Sequence, residues 1–236
     1  MPLEIAKHRR VLIHILKDIY KDPELATSLG FKGGTAAYLL YNLNRFSVDL
    51  DFDILDASKE DLIFEKIKYI LEEYGYVKKI LQKKLCLFFL LSHDNRIQDT
   101  YNIKVEINRR DLGSKYELKS HLGIPLKVMV QGDIVAHKLV AMSERKKEAS
   151  RDIFDVHFFL KNNWPINKEI IVQRTSMTVK QFLQKCIDIL GAKNNTGILS
   201  DVGELLDAKQ KDWAKENLLS ETILLLKILM ESEQAD

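Results

Sequence analysis

Two carboxylates at alternate positions, Asp49 and Asp51 in the run Arg45-Phe46-Ser47-Val48-Asp49-Leu50-Asp51-Phe52, are the side chains of this sequence best spaced to do chemistry. On a strand they leave the same face with Cα atoms about 6.5–7 Å apart, so both can converge on a pair of divalent ions. Asp53 shares that face, and spacing alone leaves Asp51 and Asp53 open as the working pair. Upstream stands Lys32-Gly33-Gly34-Thr35. Paired glycines let a phosphate approach the main chain, and the N–H groups of a helix running from Thr35 to about Tyr41 point at such an anion. Thr35 can cap this helix or reach phosphate with its hydroxyl. A phosphate cradle followed by metal-binding acids suits phosphoryl or nucleotidyl transfer from a nucleoside triphosphate (NTP), with Mg²⁺ or Mn²⁺ as the ion.

Further acids and bases follow. In the strand expected over Tyr101–Asn108, Val105 and Ile107 face a core while Lys104, Glu106 and Asn108 share the opposite face. Glu106 is the candidate third carboxylate, as metal ligand or as general base; the alternative is that this face is simply the wet side of a sheet. Lys138 and Arg145, seven residues apart, fall on one helix face, and Asp152 and Asp155, three apart, are neighbours on the next helix, after a break near Lys146–Ala149. Two cations and two anions can meet there, and for Arg151 and Asp152 a structural salt-bridge network is an equal reading.

Together, Lys32-Gly33-Gly34-Thr35-Ala36, the Arg-x-Ser-x-Asp-Leu-Asp-Phe run and the segment Lys138 to Asp155 resemble the AbiEii/AbiGii-type nucleotidyltransferase toxins, a branch of the DNA polymerase β-like superfamily. The resemblance covers about residues 30–160. The family's first motif often reads Gly-Ser where this chain has Gly34-Thr35, which keeps the hydroxyl. It implies transfer of a nucleoside monophosphate from an NTP to an acceptor hydroxyl, in some members at the 3′ end of tRNA. It also implies the toxin of a type IV toxin–antitoxin or abortive-infection system, with an antitoxin from the neighbouring gene. Residue by residue, it makes Asp49 and Asp51 the metal ligands and Lys32 to Thr35 the nucleotide-binding turn. Lys138 would contact the nucleotide phosphates, and Asp155 would belong to the last active-site motif. Arg45 and Ser47 would brace the loop or touch phosphate.

The elements that must position these residues can be read from periodicity. Ile5, Val11, Leu12, Ile15 and Leu16 predict an amphipathic first helix, and Asp22-Pro23-Glu24 a fresh helix start. A strand ending near Lys32, the glycine turn, a helix and the strand of Asp49 and Asp51 come next. Ser58 with Asp61 predicts a capping box for a helix to about Tyr74, ended by Gly75. Strands are expected at Tyr76–Leu81, Leu85–Ser92 and Tyr101–Asn108, as a meander added to the first strand with a turn at Ser92–Asn95, and at Tyr116–Lys119 and Leu126–Val130. The remainder reads as helices at about 133–146, 150–161, 167–174, 178–190, 198–208 and 212–231. The expected fold is α+β: a nucleotidyltransferase head with a mixed sheet flanked by helices (1–130), and a C-terminal helical bundle (131–236) completing the active-site cleft.

Composition narrows the alternatives. With 46% hydrophobic and 30% charged residues the chain is not disordered, and a net charge of +2 is too small to indicate nucleic-acid binding by itself. Cys86 and Cys186 lie among apolar residues without metal spacing and read as buried reduced thiols, which suits the cytoplasm. None of the six histidines pairs with a Cys or another His at ligand spacing. Charges at Met1–Arg10 and the shortness of the apolar runs Leu85–Leu91 and Ile223–Met230 argue against export and membrane insertion. Tyr38, Leu39, Phe154, Phe158 and Phe159 read as core. Basic clusters at Lys78-Lys79, Lys83-Lys84, Arg109-Arg110 and Arg145-Lys146-Lys147 read as solvated faces, or as a phosphate-tracking rim if they line one cleft. Transfer to a protein hydroxyl, and a non-catalytic nucleotide-binding protein, are the competing functions.

Overall fold

Residues 5–93, 102–145 and 150–233 are described by the computed structural model. Asp94, Asn95 and Tyr101 of the expected turn and strand, and the expected helix break at Lys146–Ala149, lie outside them. The chain divides into two compact units, Met1–Met129 and Val130–Asp236.

In the first unit, helix α1 (Ile5–Lys21) buries Leu12, Ile15, Leu16 and Ile19 at the spacing of one helix face. Asp22 then accepts hydrogen bonds from the N–H groups of Glu24 and Leu25, capping α2 (Pro23–Ser28). Strand β1 (Leu29–Lys32) runs into α3 (Gly33–Leu40), and the chain returns as β2 (Leu50–Ile54), antiparallel to β1. The expected Ser58 cap is not formed. Asp56 accepts from the N–H and the hydroxyl of Ser58 instead, starting a 3₁₀ turn at Ala57–Lys59 that leads into α4 (Glu60–Glu72). A carboxylate two residues upstream is the stronger acceptor.

Strands β3 (Tyr76–Gln82), β4 (Cys86–Ser92) and β5 (Ile103–Asn108) form an antiparallel meander, and β6 (Tyr116–His121) and β7 (Ile124–Met129) a hairpin. The seven-stranded mixed sheet has the order β3-β4-β5-β2-β1-β7-β6. The meander therefore joins through β5, parallel to β2, and not through β1 as expected. One sheet face is core: Leu87, Phe89 and Leu91 of β4 and Ile103, Val105 and Ile107 of β5 are buried with Ile63, Ile67 and Leu71 of α4 and the apolar face of α1. Each such side chain contributes about 1.5–3 kcal/mol relative to exposure. The alternate residues, Cys86, Phe88 and Leu90 with Lys104 and Glu106, are half-buried on the other face.

The β6–β7 hairpin turns on Leu122 and Gly123, with φ of 50° and 79°. Leucine in this left-handed region pays a steric penalty, and here its side chain is 72% exposed and returns little by burial. Leu122→Asn is expected to stabilise the protein by about 1 kcal/mol, raising the midpoint of a urea or thermal melt.

The second unit is helical: α5 (Gln131–Glu144), α6 (Ser150–Lys161), α7 (Lys168–Thr175), α8 (Val179–Gly191) and α9 (Ala208–Ser232). The helix expected at 198–208 is absent; that stretch is turns with a short 3₁₀ segment, Gly203–Leu205. An Asp207–Gln210 capping box starts α9 at Ala208, earlier than expected. Phe154, Phe159, Phe182, Leu190 and Leu226 are buried here, and the Trp164 ring stacks on Phe159 at 4.4 Å. Burial pushes the Cys186 thiol up to about 12, whereas Cys86 is part-exposed, against the expectation of two buried thiols. No helix among the described residues is long and apolar enough to cross a membrane.

Candidate active site

The glycine turn and the acids share one small volume. Gly33 adopts φ +78°, and a Cβ there would lie 2.5 Å from Asp51 Oδ2; a Cβ on Gly34 would lie 2.7 Å from Arg45 Nη2 and 3.2 Å from Ser47 Oγ. Both glycines thus make room for side chains arriving from the next segment. The N-terminus of α3 follows extended Lys32 and carries no side-chain cap. Of the two roles open to Thr35, cap or phosphate contact, the cap is not formed. Its hydroxyl is buried, 2.8 Å from Ser47 Oγ and hydrogen-bonded to the main-chain carbonyl of Asp49. Buried Arg45 donates from Nη1 to the Phe46 carbonyl at 2.9 Å. The Thr35–Ser47 contact ties α3 to the segment that delivers the acids, and buried Arg45 lies beside Gly34 at the start of that helix.

Asp49 immediately precedes β2, Asp51 pairs with Lys32 across to β1, and the parallel register of β2 and β5 sets Glu106 directly beside Asp51. All three carboxylates lie on the half-buried face. Lys104, two residues before Glu106, brings its ammonium 3.5 Å from Asp49 Oδ2 and 4.0 Å from Glu106 Oε2. Burial opposes its charge, yet the carboxylates of Asp51, Asp49 and Glu106 outweigh that and hold its pKa above the usual lysine value. Lys104 had no assigned role in the sequence reading, although alternation already placed it on the face of Glu106. Asp53 differs from its neighbours. It is 6% exposed and enclosed by Lys32 Nζ, the Tyr116 hydroxyl and Asn108 Nδ2, the last at 2.6 Å. Lys32 is thereby engaged with Asp53.

A divalent ion, which this family pattern implies, can be tested against these donors. Among the described residues no group of three or more His, Cys, Asp or Glu is placed to hold an ion alone. Mg²⁺ is ordinarily held through one or two carboxylates, with substrate phosphates and water completing its shell, and does not need a full protein cage. Two or three hard oxygen donors without His or Cys match that requirement. The presence of the Lys104 ammonium among the acids shows that they call for positive charge. The residues fit.

In the helical unit, Lys138 Nζ lies 2.8 Å from Asp152 Oδ1 and 3.0 Å from Asp155 Oδ2, and Arg145 Nε lies 3.1 Å from Asp152 Oδ2. Both aspartates are buried, at 1% and 0% side-chain exposure. The two cations and two anions meet as the spacing predicts, while Arg151 is drawn away to Asp201. The buried histidines are structural: His8 Nε2 lies 3.0 Å from the Val48 carbonyl oxygen, and His157 lies against Trp213 with Nε2 2.9 Å from Glu221.

The family model described as nucleotidyl transferase AbiEii toxin, type IV TA system, matches residues 14–216. No curated protein matches the sequence. Among solved structures, a protein of Helicobacter pylori provisionally named a nucleotidyltransferase is 20% identical, with a TM-score of 0.62 over 100% of this chain and 99% of its own. JHP933 from Helicobacter pylori is likewise 20% identical, with a TM-score of 0.57 over 100% of this chain and 97% of that one. MenT4, a nucleotidyltransferase toxin of Mycobacterium tuberculosis, is 19% identical, with a TM-score of 0.55 over 95% and 93% of the two chains. At these identities the structures speak to the shared fold.

Proposed function

Because this chain belongs to the AbiEii nucleotidyltransferase toxin family of type IV toxin–antitoxin systems, we propose that it moves a nucleoside monophosphate from an NTP to a hydroxyl of RNA, at the 3′ end of a tRNA, using Asp49, Asp51 and Glu106. Membership implies an NTP substrate and an antitoxin partner. The observation that carries the reading is the β2–β5 register, which sets Glu106 beside Asp51 on the face that Asp49 also joins. The enclosure of Asp53 by three donors supports Asp49 and Asp51 as the working pair.

In this mechanism the main-chain N–H groups of Gly33 and Gly34, at the uncapped start of α3, hold the triphosphate. Thr35, Arg45 and Ser47 act from beneath, fixing that turn against the acids. Glu106 takes the proton from the acceptor hydroxyl as its oxygen forms a bond to the α-phosphorus. The bond from that phosphorus to the bridging oxygen breaks, and pyrophosphate leaves with the electron pair. Mg²⁺ or Mn²⁺ held by Asp49 and Asp51, with Glu106 alongside, would supply a lowered pKa for the hydroxyl and neutralise charge on the phosphates. From the helical unit, Lys138 and Asp155 are assigned by resemblance.

Incubation with each labelled NTP in turn, Mg²⁺ and total RNA tests the proposal. Label in RNA and release of pyrophosphate are expected; label confined to protein would replace the acceptor, and absence of both would overturn the reading. Lys104 gives a separate check. Lys104→Met is expected to tighten Mn²⁺ binding to the nucleotide-free protein on the order of tenfold, read by the spectroscopic signal of free Mn²⁺, because a competing cation leaves the carboxylates. Unchanged affinity would remove these acids as the ion's ligands.

A further inference from the structure

The half-buried face of the sheet continues beyond the acids. Phe88 of β4 lies opposite Glu106, and Leu90 opposite Lys104. On β3, Leu81 lies opposite Phe88 and Lys79 opposite Leu90. Lys79 and Lys83 are exposed, and Lys83 Nζ lies over the Phe88 ring, 4.8 Å from its centre, so a base that stacks on that face displaces the ammonium on its exposed stem toward the adjoining phosphate. Crossing the sheet from β2 and β5 to β4 and β3, the surface changes from anionic to apolar and aromatic, then to cationic. Adjacent strands are about 4.8 Å apart, so Phe88 stands about 5 Å from Glu106 and about 10 Å from Asp51 at Cα.

The opposite side of Asp51 belongs to β1, from which α3 opens with its uncapped N-terminus. With the β- and γ-phosphates of an NTP held there, pyrophosphate leaves toward β1. In-line displacement requires the attacking hydroxyl on the other side of the α-phosphorus, toward β5 and β4. That is where the aromatic ring and the lysines lie.

We propose that Phe88, flanked by Lys79 and Lys83, is the acceptor platform: the terminal base of a single-stranded RNA stacks on the ring, its hydroxyl reaches Glu106, and its preceding phosphates lie on the two lysines. This inference rests on the nucleotidyl-transfer reading of the same site. An aromatic face with cations beside it is the surface that single-stranded nucleic acid uses, because every base has a face to stack and every link a charge to neutralise. The charge complementarity and the direct continuity with Glu106 favour RNA over a peptide hydroxyl, which carries no phosphates for Lys79 and Lys83.

The test is binding of a short 5′-labelled single-stranded RNA with a free 3′ end, followed by anisotropy without NTP. Phe88→Leu, matched to wild type in melting temperature, is expected to weaken binding about tenfold, and Phe88→Trp to preserve it. The Lys79→Ala, Lys83→Ala double variant is expected to flatten the slope of log affinity against log salt by about 1.4, the share of two phosphates on a single strand. In turnover, Phe88→Leu is expected to raise the KM for RNA and leave the KM for NTP unchanged. Equal RNA affinity in wild type, Phe88→Leu and the lysine double variant would overturn the platform. So would a wild type that labels protein but binds no RNA, although pyrophosphate release would then leave nucleotidyl transfer standing. If wild type releases no pyrophosphate with any acceptor, the underlying reading fails first.

Discussion

Asp51→Asn is expected to lower nucleotidyl transfer by about a thousandfold or more while the melting temperature stays within a few degrees of wild type. The substitution keeps the shape of the side chain beside Gly33 and removes the negative charge on which ion and phosphate depend. Asp49→Asn should behave alike. Asp53→Asn should show the reverse pattern, since Asp53 is 6% exposed among Lys32, Asn108 and Tyr116. Its loss leaves a lysine without its counter-charge, at a cost of about 3 kcal/mol of stability and with a smaller effect on chemistry per folded molecule. Transfer rates normalised to folded protein, with thermal melts of the three variants, separate the patterns. A stable, inactive Asp53→Asn beside an active Asp49→Asn would shift the working pair by two residues.

Lys138→Ala is expected to unfold the helical unit before it reports on catalysis. The change strips a cation from Asp152 and Asp155, which are 1% and 0% exposed. Breaking a buried ion pair by removing one partner costs about 3–5 kcal/mol, a large fraction of an ordinary domain's stability. Loss of toxicity in this variant would therefore say little about phosphate contact. Lys138→Met combined with Asp155→Asn removes charge from both sides and leaves Asp152 with Arg145, so most of that stability should return. With folding restored, a fall in turnover of about a hundredfold is expected from loss of the ammonium and the Asp155 carboxylate together, and Asp155→Asn alone measures the carboxylate's share. Wild-type turnover in the double variant would confine Lys138 to a structural role.

The α+β class, the seven strands among the described residues and five helices of the C-terminal unit were legible because their apolar periods are strong: strict alternation in Lys104-Val105-Glu106-Ile107, helical spacing in Phe182-Leu183-Cys186-Ile187-Leu190. The misreadings have local causes. Ser58 looked like a cap because pattern alone does not rank its hydroxyl against the nearby Asp56 carboxylate. The stretch 198–208 carries helix-forming leucines, but the Asp207–Gln210 box commits the chain to begin its helix afterwards. At the site, alternation placed Asp49, Asp51 and Asp53 on one face of their strand and Lys104 and Glu106 on one face of theirs, but the β2–β5 pairing is what joins the two faces, and alternation could not tell the enclosed Asp53 from the others. That distinction depends on Lys32 and Tyr116, 21 and 63 residues away along the chain. Nor did it show that Arg45 and Ser47 occupy the space a Cβ on Gly34 would need, which takes a fold to see.

The space at Gly33 has a consequence for how such a toxin is disarmed. A side chain at position 33 and the carboxylate of Asp51 compete for the same volume, so the two motifs behave as one mechanical part. In a population selected to survive expression of an active toxin, disabling changes should accumulate at the Gly33 codon as well as at the acids. Gly33 leaves no room for a side chain and the acids tolerate no neutralisation, so a cell has two genetic routes to the same silence. Reversion from the first route is restricted in kind: only restoring the hydrogen side chain gives Asp51 back its place.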